Sequence, residues 1–209
     1  MKATPDRSEA SRPILQIPLF VASWFLVEYL LVRALALAFV PLFAGGFVLW
    51  WFTTRKAPID PHKIIVPYLL TVIVFIAHVY EEYRALSLGL PGITPLLASF
   101  EQMVTAAASL APILWLSGAV MMLKRQPVGF FVASTFLFGM MFIEPSHLVV
   151  PFWPMGSFHY VGGMWTASLL TVLGWYTFLT IRREIRRETD APARDMQAAR
   201  SQPARPPSN

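Results

Sequence analysis

Between Ile14 and Thr54 the chain carries only two charged residues, Glu28 and Arg33. A hydrocarbon bilayer needs about 20 apolar residues in one helix to be crossed, and only helices or closed barrels satisfy their backbone there. This run is about twice that length, and four more apolar segments follow at Ile64–Arg84, Leu96–Leu123, Val128–His147 and Phe158–Ile181. With 56% hydrophobic and 14% charged residues, against roughly 25% charged in soluble domains, the chain reads as a membrane protein. Arg7 and Arg12 precede the first run and Ala34-Leu35-Ala36 resembles a cleavage site, but the run continues past Phe52. A secretory h-region is shorter than this, so the segment reads as retained membrane helix.

The expected fold is all-α: a polytopic transmembrane bundle of about six spans. Residues 1–13 form an N-terminal cytoplasmic segment, 14–181 the helical domain, and 182–209 a disordered basic tail. Six spans require the chain to reverse near Val32–Leu35; one long helix followed by a reentrant Pro41–Gly46 element is the alternative. Arg55, Lys56 and Lys63 flank one connection, Lys124 and Arg125 another, and four arginines from Arg182 to Arg187 follow the last segment. The loops Ser87–Pro95 and Val149–Ser157 hold no Lys or Arg. Cytoplasmic loops collect these residues, so the expected location is the plasma membrane, multi-pass, with both termini cytoplasmic. The net charge of +5 gathers at segment ends and in the tail, a pattern that gives no sign of nucleic-acid binding; oligomeric state is not readable.

The absence of cysteine excludes thiol catalysis, disulfides and thiolate metal sites. What remains is a set of His and Glu residues that the topology places at one depth. His78, Glu81 and Glu82 lie near the outer end of the third span. Glu144 and His147 end the fifth, Glu101 opens the fourth, His159 opens the sixth and Glu28 ends the first. At 1.5 Å per residue all fall within roughly 10 Å of the outer interface. One such residue alone is as well explained by snorkelling into headgroups. A cluster of them is costly in a bilayer and marks a site.

Positions i, i+3 and i+4 share a helix face, so His78, Glu81 and Glu82 point one way. Two adjacent carboxylates in low dielectric must share a proton or be neutralised by a cation. The first outcome makes an acid/base pair and the second a metal site. The metal ligands on offer are His78, Glu81, Glu82, Glu144 and His147, with His159 in reserve; such sets suit zinc, manganese or iron. The catalytic set is Glu81, Glu82, His78, His147 and Glu144. Four histidines in all are too few for a histidine-rich di-iron site.

His78-Val79-Tyr80-Glu81-Glu82 spells H-x-x-E-E, and His147 and Tyr160-Val161-Gly162-Gly163 follow. This pattern resembles the HXXEE family of small integral membrane proteins, whose motif is joined by a second histidine and a Y-x-P-G turn. The resemblance covers about residues 70–172 and departs where Gly162 stands in place of the proline. It implies a helical membrane enzyme with no assigned reaction. The expectation is therefore an enzyme acting on a lipid or isoprenoid-like apolar substrate. A proton- or divalent-cation-coupled transporter or channel using the same carboxylates is the competing class.

Overall fold

The burial pattern of the third long helix shows why these sequences become a bundle. In α3 (Ile65–Ser87) the buried positions are Tyr68, Thr71, Val72, Phe75, His78, Val79, Glu82 and Ala85. They recur every three to four residues, which is one stripe of a helix, while Ile73, Ile76, Tyr80 and Tyr83 face outward. The computed structural model describes residues 7–55, 59–88, 100–149, 152, 158 and 160–201.

All the regular structure among them is helical. The remaining long elements are α1 (Arg7–Val32), α2 (Val40–Phe52), α4 (Phe100–Leu123), α5 (Pro127–Phe138), the single turn α6 (Ser146–Val149) and α7 (Met164–Ser201). Three stretches are long and apolar enough to cross a membrane: Ile65–Ser87, Pro127–Val149 and Met164–Ala191. Leu15–Leu30, Val40–Phe52 and Ala108–Leu123 are apolar but shorter.

The ambiguous first run resolves into two unequal helices. α1 ends at Val32, Arg33 takes a left-handed φ of 58°, and a 3-10 segment Arg33–Phe39 leads into α2. Phe25 and Phe43 then meet with ring centroids 5.2 Å apart, so the chain doubles back between them. At 1.5 Å per residue α2 is only about 20 Å long, short of the ~30 Å hydrocarbon core.

α5 is the central helix, packed against α1, α2, α4 and α7 and buried from Phe131 to Leu137. Lipid gives no hydrophobic drive between helices, so close packing must hold them. At Gly46 a Cβ would lie 2.4 Å from Thr135 Cα; only glycine lets α2 approach α5 this closely. Phe136 stacks against Tyr68, Phe75 and Trp115 at 5.0–5.7 Å. The Tyr68 hydroxyl donates to the Trp115 carbonyl at 2.9 Å, tying α3 to α4. Trp50, whose pairing with Trp51 suggests an interfacial belt, is instead a core residue packed on Phe131.

The tail departs from expectation. Residues 182–201 continue α7 as helix rather than disorder. Arg and Glu dominate 182–188 and alanine recurs beyond, all good helix formers. Glu184 is also buried and bound to Lys63 at 3.0 Å, which anchors the extension to the 59–63 connection. The Glu184 and Glu188 carboxylates hold the Lys63 ammonium above its ordinary pKa.

Candidate metal centre

Two local irregularities deliver Glu144 and His147 to the core. After Phe138 the helix widens into a π turn, Gly139–Ile143, in which the Glu144 N–H donates to the Gly139 carbonyl at 3.0 Å. Single π turns inside α-helices often mark functional sites. Pro145 follows and has no N–H for the Met141 carbonyl. The short α6 then restarts and aims His147 inward, 4% exposed beside Glu144 at 8%.

From α3 come His78 and Glu82, 2% and 9% exposed. His78 Nε2 lies 3.0 Å from Glu144 Oε2, and His147 Nδ1 lies 3.4 Å from the same oxygen. His147 Nε2 is 3.1 Å from Glu82 Oε1, while Glu82 Oε2 is 3.9 Å from His78 Nε2. The two imidazoles meet edge to face with centroids 4.8 Å apart. His78, Glu144 and His147 each offer one ligand atom within 4.8 Å of the others, and this buried group could hold a metal ion.

Glu81 is not part of it. Neighbouring residues diverge by about 100° on a helix, and Glu81 turns toward the first turn of α7. It accepts from the Tyr160 hydroxyl at 2.7 Å, the Thr166 hydroxyl at 2.6 Å, and the Thr166 and Trp165 N–H groups at 3.1 and 3.4 Å. It is the anionic cap of a helix N-terminus. His159 and the side chain of Glu101 lie outside the described residues. Glu28 sits on α1, bonded to Trp24 at 2.7 Å.

Thr166, which no motif singles out, connects the cap to the centre. Its one hydroxyl proton goes to Glu81, so its lone pair must accept from His78 Nδ1, 2.9 Å away. A proton on Nδ1 leaves the lone pair of a neutral His78 on Nε2. His147 Nε2 lies 3.1 Å from Glu82 Oε1, and its Nδ1 lies 3.2 Å from the Glu144 backbone carbonyl, to which it can only donate. Glu144 Oε2, buried without a directed hydrogen bond, lies between His78 Nε2 at 3.0 Å and His147 Nδ1 at 3.4 Å. Two ring nitrogens and a carboxylate oxygen converge on one point, and buried polar atoms must be paired, here by a shared proton or by a cation.

The turn before α7 closes over this cluster. Gly163 has φ +84°, and a Cβ there would lie 2.5 Å from His78 Cε1 and 2.9 Å from Glu82 Cγ. Gly162 packs equally hard on Ala85. An apolar cavity of about 300 Å³ lined by Ile76, Val79, Tyr80, Tyr83, Ala108 and Pro112 lies on the opposite face of α3. It contains none of the His/Glu group.

Compared with known proteins, the chain matches no family model, no curated protein and no solved structure. The likeness to the HXXEE pattern therefore rests on His78, Glu81, Glu82, His147 and the Tyr160-Gly163 turn alone.

Proposed function

We propose that the chain is a multi-pass membrane enzyme in which His78, His147 and Glu144 hold a divalent cation that acts on a lipid-like, apolar substrate. The observation that carries this is the convergence of two buried imidazole nitrogens on one carboxylate oxygen that has no directed hydrogen bond. Separations of 3.0 and 3.4 Å approach the roughly 3.4 Å edge of a tetrahedron with 2.0–2.1 Å metal bonds. A divalent ion with Glu144 and Glu82 ionised leaves the cluster electroneutral, which a bilayer interior favours.

Two imidazoles and one carboxylate leave a coordination position open, the mark of catalytic rather than structural sites. Such an ion supplies Lewis acidity or a bound hydroxide. Around it, Glu82 orients His147 and Thr166 orients His78, the outer-shell arrangement that metal-binding histidines use. Zinc, manganese and iron are the metals this donor set suits. In the proposed topology the six apolar segments cross the plasma membrane, the termini and the Arg/Lys clusters are cytoplasmic, and the centre lies toward the outer leaflet.

Transport is the second reading. Between the centre and Glu184 at the other end, the polar contact joining α3 and α7 among the described residues is Thr71 to Thr177 at 3.1 Å. No ionisable ladder continues inward there, which favours chemistry over passage. Protein reconstituted with zinc in defined lipid vesicles tests both. Conversion of a membrane lipid or isoprenoid, read by mass spectrometry and lost in Glu144→Gln, is the expected result. Zinc flux into vesicles without any lipid conversion would replace the enzyme with a transporter.

A further inference from the structure

One face of α7 runs unbroken from apolar to arginine. Its buried stripe is Met164, Ala167, Leu170, Gly174, Thr177, Ile181 and Glu184. On another face Val172, Tyr176 and Leu179 are 64%, 54% and 47% exposed. The next turns of that face carry Arg182, Arg183 and Arg186, so positions 179, 182, 183 and 186 share it at i, i+3, i+4 and i+7. From Met164 to Ile181 the helix rises about 27 Å, close to the ~30 Å hydrocarbon thickness. The arginines therefore begin where headgroups begin.

The acids nearby do not neutralise them. Glu184 binds Lys63 at 3.0 Å and Arg187 at 2.7 Å, and Glu188 binds Lys63 at 3.2 Å. Arg182, Arg183 and Arg186 have no acidic partner among the described residues. Together with Leu179 they line a cavity of about 150 Å³. Guanidinium groups grip phosphate in bidentate geometry, and clustered basic residues just beyond a membrane helix attract anionic lipid.

We propose that Arg182, Arg183 and Arg186 bind the phosphate of an anionic phospholipid whose acyl chain lies along Leu179, Tyr176 and Val172. Continuity with the lipid-facing side of α7, and Leu179 in the cavity wall, favour a lipid over a soluble phosphate. The proposal rests only on α7 crossing a membrane and is independent of the metal centre.

The test uses the full chain in mixed micelles, with bound lipid counted by native mass spectrometry. Phosphatidylglycerol should be retained over phosphatidylcholine, and the triple change Arg182→Gln, Arg183→Gln, Arg186→Gln should weaken it on the order of a hundredfold, about fivefold per arginine. Arg187→Gln, on the Glu184 side, should leave retention unchanged. The triple Lys variant keeps the charge and the fold but loses the bidentate grip, and should retain intermediate amounts. Equal retention by wild type and both triple variants overturns the proposal. So does displacement of phosphatidylglycerol by millimolar inorganic phosphate, which would make the cleft a soluble-anion site.

Discussion

Thr166→Val keeps the shape of the side chain and deletes only its hydroxyl. That hydroxyl donates to Glu81 at 2.6 Å and accepts from His78 Nδ1 at 2.9 Å. A hydrogen bond to a charged group contributes about 1.5–3 kcal/mol, and the abandoned His78 donor adds a desolvation cost. With Nδ1 unpartnered, nothing fixes the tautomer that presents Nε2 to Glu144. Loss of such outer-shell partners weakens metal binding about 10–100-fold, or about 1.4–2.8 kcal/mol, the same size as the hydrogen bond removed. Zinc titration of chelator-stripped protein in detergent, beside its thermal unfolding, reads both effects. Thr166→Val should lose affinity within that range, while Thr166→Ser should stay within a few-fold of wild type. Wild-type affinity in the valine variant, or equal loss in the serine variant, would refute the relay.

The adjacent carboxylates should separate by readout: Glu81→Gln, at the α7 cap, should cost about 1 kcal/mol of stability with its metal retained. Glu82→Gln should lower metal affinity about 10–100-fold by releasing His147; indistinguishable variants would contradict the geometry. Gly163→Ala combines a left-handed φ costing about 1–2 kcal/mol with a Cβ driven into His78, about 1–3 kcal/mol more. A measured destabilisation below 1 kcal/mol would show that the turn does not close over the centre.

The membrane character and the shared face of His78 and Glu82 were legible because apolar length and i, i+4 spacing are local signals, whereas His147 could be joined to them only through the common depth of the segment ends. The split between Glu81 and Glu82 was legible only as an angle; which partner each finds depends on where α7 begins. Thr166 left no trace, since a hydroxyl in a helix's first turn reads as ordinary capping until His78 is seen beside it. The π turn was hidden for a similar reason. Gly139–Ile143 is compositionally unremarkable, and its register shift arises from packing against α7 and from Pro145. The helical continuation past Arg182 depends on Lys63, more than a hundred residues away in sequence, binding Glu184.

X-ray absorption at the zinc edge of protein purified from membranes and loaded with one equivalent of zinc tests the central claim most directly. Two imidazole nitrogens and one carboxylate oxygen at about 2.0–2.1 Å, with one further light ligand, are expected. His147→Ala should remove one imidazole from that shell. A shell of oxygen ligands alone, or one unchanged in His147→Ala, would contradict a centre built by His78, Glu144 and His147.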